Sequence, residues 1–171
     1  MSVFLDNPHK DFHVREIARL VNKSPTTASS ELNKLRKKGL LSAKKERNHL
    51  LYQAIPQNKN YQHLKLFHNI KSIRDSGLIE YLIEFYNHPS AIIIFGSFRK
   101  AENIPSSDID LFILSSKKEE PKLEKFEKEL KHKIQLFTFS PKKLHELRKN
   151  NPHLLNNVIN GIVLEGFIEV F

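Results

Sequence analysis

The residues of this chain best placed to do chemistry are two aspartates, Asp108 and Asp110, and a glycine-serine pair, Gly96 and Ser97, that precedes them by twelve positions. A strand sends alternate side chains to opposite faces, so in Asp108-Ile109-Asp110 the carboxylates point the same way while Ile109 points into a core. Two carboxylates on one face can hold a divalent ion. Magnesium prefers oxygen ligands and fills its remaining positions with waters or substrate phosphates. A Gly96-Ser97 turn lets backbone N–H groups and a hydroxyl approach phosphate oxygens with no side chain in the way. Together the four residues suggest a phosphate cradle facing a metal site; either pair alone would also suit a solvated turn.

A second set of residues suits a polyanion. Residues 1–60 carry a net charge of +7, residues 61–90 are neutral and residues 91–171 carry +2, so the overall +9 is mainly an N-terminal property. A localised positive field attracts phosphates, because each one neutralised releases condensed counterions. Ser24 and Pro25 predict the start of a helix running to Lys38 and stopped by Gly39. Its apolar face is Ala28, Leu32 and Leu35. At 100° per residue, the opposite face is Thr26, Ser30, Asn33 and Lys37, flanked by Thr27, Ser29 and Lys34. The following segment, SAKKERNHLLYQAI, predicts two short strands around a basic tip containing Lys44, Lys45, Arg47 and Asn48.

The elements that must position these residues fall into two halves. Val3 to Leu5 begin an apolar element that Pro8 breaks, and Val14, Ile17, Ala18 and Val21 recur at helical spacing. Residues 59–87 predict two helices divided near Ser76-Gly77. Beyond them, AIIIF and IDLFIL are apolar runs suited to buried strands, joined by FRKAENIPSSD. A charged amphipathic helix with Leu123, Phe126 and Leu130 on its apolar side, a strand KIQLFTF, further helices and a final GIVLEG complete the order. The expected fold class is α+β.

Composition bounds the remaining possibilities. The 171 residues are 39% hydrophobic, enough for packed cores, and contain no cysteine, which excludes a disulfide framework, a thiol nucleophile and sulfur-ligated zinc. The longest apolar run, Ala91 to Phe95, is far short of the roughly 20 residues of a membrane-spanning helix. The opening residues show no basic segment followed by an apolar stretch. A cytoplasmic protein with no membrane partner is expected. The nine histidines read as ordinary surface or boundary residues.

Two resemblances follow from these segments. The stretch FHVREIARLVNKSPTTASSELNKLRKKGLLSAKKERNHLLYQAI resembles the winged helix-turn-helix of multiple-antibiotic-resistance and arsenic-responsive repressors. That implies binding to double-stranded DNA and a transcription-regulatory role, with Thr26, Thr27, Ser30, Asn33, Lys34 and Lys37 in the major groove and Lys44, Lys45 and Arg47 on the backbone. Paired half-sites would make the chain a homodimer, with the Tyr61 to Ile73 helix as its contact. The second half resembles the nucleotidyltransferase superfamily that includes DNA polymerase beta, and is closest to its minimal members. This resemblance implies that Gly96 and Ser97 hold the β and γ phosphates of a nucleoside triphosphate, that Arg99 and Lys100 offset phosphate charge, and that Asp108 and Asp110 are catalytic ligands of Mg2+. It also implies transfer of an NMP group to an acceptor, such as a protein.

In that family a third carboxylate on the next strand activates the acceptor hydroxyl. Here the position that lines up is Gln135, whose amide cannot accept a proton at neutral pH. Transfer is therefore expected to be impaired unless Glu102 or the substrate supplies the missing base. The alternative is a catalytically silent domain that senses nucleotide or serves as scaffold. The expected organisation is a winged helix-turn-helix at 1–57, a linker helix at 58–77 and a small mixed-sheet nucleotidyltransferase fold at 78–171.

Overall fold

The computed structural model describes residues 1–47 and 49–169; Asn48, expected in the hairpin tip, lies outside the described residues. Contacts divide the chain into two compact units, Met1–His68 and Asn69–Phe171.

In the first unit, α1 (Ser2–Asp6) precedes β1 (Phe12–His13), α2 (Val14–Leu20) and α3 (Pro25–Lys37). Ser24 starts α3 by accepting the Thr27 N–H at 3.1 Å, with Pro25 in a first-turn position that needs no donor. The helix stops at Gly39, whose φ of +70° suits a residue without a Cβ and lets the Leu40 N–H return to the Leu35 carbonyl at 3.1 Å. Strands β2 (Leu41–Glu46) and β3 (His49–Ala54) form the expected antiparallel hairpin, and β1 pairs with the other side of β3. This third strand is two residues long. Its Phe12 packs edge-on against Phe4, in a core with Ile17, Ala28, Leu32, Leu41, Tyr52 and Tyr61.

Helix α4 (Lys59–Asp75) follows, and the division between the units falls within it. Tyr61, Lys65, Asn69 and Ile73, four apart and therefore on one face, are all buried. Tyr61 donates to the Phe4 carbonyl at 2.9 Å and Lys65 to the Leu5 carbonyl, so two carbonyls near the end of α1 are satisfied. Burial pushes the Lys65 ammonium down to about 8.

In the second unit, α5 (Leu78–Phe85) leads into β4 (Ala91–Phe95), α6 (Gly96–Lys100), β5 (Ile109–Leu114), α7 (Glu124–Leu130), β6 (Ile134–Phe139), α8 (Pro141–Asn150), α9 (Pro152–Ile159) and β7 (Ile162–Gly166). The sheet order is β6-β5-β4-β7; β5 and β6 are parallel, and the other neighbours antiparallel. Ile92, Ile94, Ile109, Leu111 and Ile113 face a core with Leu78, Ile79, Leu82 and Phe126. Ala91, Ile93, Phe95, Phe112 and Leu114 face another with Leu144, Leu147, Leu155 and Val158. Both faces of the central strands are covered, which is why AIIIF and IDLFIL are apolar without alternation. Among the described residues no helix is long and apolar enough to cross a membrane.

One local expectation is corrected. Gly96-Ser97 is not a plain turn but the start of the five-residue helix α6. The buried Phe98 anchors that helix, and Ala101, at φ +58°, ends it so that the Glu102 N–H reaches the Ser97 carbonyl at 2.9 Å.

Candidate functional site

The end of the sheet where β4 finishes and β5 begins brings the expected acidic residues beside the glycine. Register pairs Phe95 with Asp110 across the antiparallel strands, so the residue after Phe95, Gly96, passes directly over the aspartate. Gly96 has a φ of +66°, and a Cβ built there would lie 2.1 Å from Oδ2 of Asp110. Contacts below 3.0 Å are essentially never seen for a real Cβ, so the space that glycine leaves empty is taken by the carboxylate itself. The need for glycine here is thus twofold: the backbone conformation, and the seat of Asp110.

Asp108 lies just before β5 and is exposed, whereas Asp110 is half-buried. Burial, and secondarily the negative charge of Asp108, holds the Asp110 carboxyl above its ordinary range. Two carboxylates therefore share a small region and repel, a strain that a bound cation relieves. Among the described residues no group of three histidine or acidic side chains is arranged to hold a metal. The donor set offered is a pair, which suits an ion completed by phosphates and water. Ser97 is half-buried in the first turn of α6, and Arg99 and Lys100 are exposed at its end.

On the other side of β5, the parallel register places Gln135 of β6 opposite Asp110. Gln135 is exposed on an edge strand. The nearby Glu127 is already committed: Oε1 accepts the Ile134 N–H at 3.0 Å and Oε2 pairs with Lys133 at 3.1 Å. The Ile134 hydrogen bond first, then Lys133, holds the Glu127 carboxyl below its usual range, which makes it a poor proton acceptor. Glu102 is exposed, and its backbone N–H donates to the Ser97 carbonyl at 2.9 Å. A cleft of about 500 Å³ beside β6 includes Gln135 but neither aspartate; Tyr86, Lys117, Leu136 and Thr138 also line it.

Two residues that the sequence does not single out, Asn69 and His132, hold the segment from Gly96 to Asp108. The Asn69 side-chain amide, from α4, donates one hydrogen to the Phe98 carbonyl and the other to Asn103 Oδ1, both at 2.8 Å. His132 Nδ1 lies 2.7 Å from the Ser107 carbonyl, and its ring meets Phe98 edge-on at 4.9 Å. A carbonyl can only accept, so Nδ1 carries the proton. The available signal was the phase of Asn69, a polar residue four positions before the buried Ile73.

In the first unit, Thr26, Thr27, Ser30, Lys34 and Lys37 are exposed on α3, and Lys44, Lys45 and Arg47 on or beside the β2–β3 hairpin. Several have internal partners. Lys34 pairs with Glu31 at 2.7 Å, Lys44 with Asp11 at 2.6 Å, and the Thr27 hydroxyl meets that of Ser24 at 2.9 Å. Asn33 is half-buried, and its Oδ1 accepts the Tyr52 hydroxyl at 3.2 Å, which ties α3 to β3.

A family model described as Polymerase beta, Nucleotidyltransferase matches residues 77–165, a span that contains both aspartates, the glycine-serine pair and Gln135. A search of curated proteins found no match to the chain.

Proposed function

The chain belongs to the polymerase beta nucleotidyltransferase family, and from that premise we propose that its second unit binds a magnesium-nucleoside triphosphate while its first unit binds double-stranded DNA. Asp108 and Asp110 hold the magnesium ion, Gly96 and Ser97 receive the β and γ phosphates, and Arg99 and Lys100 offset phosphate charge. When bound, the ion polarises the phosphates for displacement at the α phosphorus. The seat of Asp110 over Gly96, and the repulsion between two carboxylates, support this assignment.

The observation that favours sensing over turnover is the register of Asp110 with Gln135. An amide oxygen there can orient an acceptor hydroxyl but cannot take its proton, so NMP transfer to an acceptor is slow or absent, and the site acts mainly as a nucleotide sensor on a DNA-binding regulator. In the first unit, the capped α3 with its polar exposed face and the basic hairpin support a winged helix-turn-helix reading, in which α3 enters a major groove. Leu64 and Phe67, exposed to 40% and 67% on α4, support a homodimer contact.

Calorimetry with Mg-ATP and Mg-GTP tests the central claim. Wild type is expected to give a magnesium-dependent heat that disappears when Asp108→Asn and Asp110→Asn are combined. Heat that persists in the double variant refutes the metal assignment.

A further inference from the structure

Asn69 is one of few polar side chains buried among the described residues, at 3% exposure, and its partner Asn103 is another, at 5%. A buried amide is costly unless its donors are used, and both Asn69 hydrogens are used on the same short segment. The Phe98 carbonyl lies one residue beyond Ser97, and Asn103 lies five residues before Asp108. One amide therefore grips the segment on both sides of the left-handed Ala101 that closes α6. Asp110 is held in β5 and packs against Gly96, so a shift of α6 changes the separation between the Gly96-Ser97 pair and the carboxylate.

We propose that Asn69 is a positioning residue for the nucleotide site: it fixes α6 and the following loop so that Gly96-Ser97 and Asp110 keep their productive separation. This rests on the reading of that site as one for a magnesium-nucleoside triphosphate. Buried against Phe98 and Asn103, Asn69 acts through the segment it holds rather than on the ligand. Its role is to make the cradle rigid before ligand arrives, which lowers the ordering cost of binding.

The discriminating variant is Asn69→Asp in the full chain, nearly isosteric but, when ionised, unable to donate and facing the Phe98 oxygen. Two readouts are taken well below the melting temperature. Without ligand, amide exchange at Ala101 and Glu102, whose N–H groups close α6 on Phe98 and Ser97, is expected to quicken at least tenfold. With Mg-ATP, the dissociation constant is expected to rise at least tenfold at pH 8. That gap to wild type should narrow as the pH is lowered toward 5, because a neutral carboxylic acid regains one donor for the Phe98 carbonyl. A loss of affinity that came only from general destabilisation would follow the variant's melting temperature rather than the exchange at Ala101 and Glu102. Should Asn69→Asp fail to fold, Asn103→Ala removes one of the two bonds and is expected to show the same exchange effect, with a smaller loss of affinity. Unchanged exchange in the folded variant, or an affinity gap that does not depend on pH, overturns the proposal. Absence of Mg-ATP binding by wild type overturns the nucleotide reading instead, and the exchange result then decides alone whether Asn69 holds the segment.

Discussion

Gly96→Ala separates backbone strain from damage to the site, because the same unit offers a matched control. Gly96 and Gly77 have nearly the same left-handed backbone, at φ +66° and +74°, so alanine at either position pays a similar conformational cost of about 1–2 kcal/mol. For a unit of this size that corresponds to a melting temperature lower by about 4–8 °C for each kcal/mol. The surroundings differ completely. A Cβ at Gly77 meets nothing within 4 Å, whereas one at Gly96 lies 2.1 Å from the Asp110 carboxylate, which must retreat by about 1 Å to reach the 3.0 Å limit of real contacts. Both variants should therefore melt early by similar amounts, with Gly96→Ala the lower of the two. Only Gly96→Ala should lose Mg-ATP affinity, by about tenfold or more, the equivalent of roughly 1.4 kcal/mol or more. Differential scanning fluorimetry and calorimetry on the three proteins provide the comparison. If Gly96→Ala binds Mg-ATP as tightly as Gly77→Ala, Asp110 does not need the position that Gly96 gives it, and the argument for the site's geometry fails.

Other outcomes follow from the same structure. Because the folded Asp110 carboxyl titrates above its ordinary value, the ligand-free protein should lose stability as the pH rises through the window between the two values; Asp110→Asn should lack that loss and melt higher than wild type at neutral pH, as thermal melts across pH would show. Replacing Gln135 with Glu should speed labelling of an acceptor by α-labelled nucleotide; a rate unchanged from a rapid wild type would mean that another residue is the base. Replacing Lys45 and Arg47 should reduce the salt dependence of duplex binding by about one unit of slope for each lost phosphate contact, while Asp11→Asn, by freeing Lys44 from its 2.6 Å partner, should strengthen binding at low salt; equal salt slopes for all three proteins would remove the hairpin from the interface. Phe67→Ser should lower the mass measured in solution if α4 is the dimer contact, and a wild type that is monomeric at micromolar concentration with and without DNA would end that idea.

What the sequence could disclose was set by the range of the forces involved. Strands buried on both faces need apolar residues throughout, so AIIIF and IDLFIL are legible, whereas Gln135 stands out only through the resemblance to the family's third carboxylate, and its pairing with Asp110 comes from the register of the folded sheet. Helix α6 was missed because five residues contain too little periodicity to distinguish a helix from a turn, and the features that make it helical, a buried Phe98 and a left-handed Ala101, come from packing. The two-residue β1 was below the same threshold. On the basic unit, residue type told which side chains can meet phosphate but not which are already engaged: the pairs Lys34 with Glu31 and Lys44 with Asp11, and the bond between Asn33 and Tyr52, join residues whose proximity only folding creates.

The acidic site shows why that distinction bears on function. Local spacing identifies the groups that carry charge, because an Asp-x-Asp pattern places two carboxylates on one side of any strand. It does not determine how firmly the opposing α6 segment is held, since the holding groups, Asn69 and His132, lie 29 and 25 residues from the carbonyls they grip. A phosphate-bound ion needs both parts. Charge without a fixed cradle gives weak and unselective ion binding, whereas a fixed cradle with two carboxylates and an amide at the third position favours holding a nucleotide over consuming it. On the nucleotide-sensing reading proposed above, Gln135 opposite Asp110 and the Asn69 amide would act in the same direction, one offering no base and the other fixing the α6 segment, so that the site keeps its ligand.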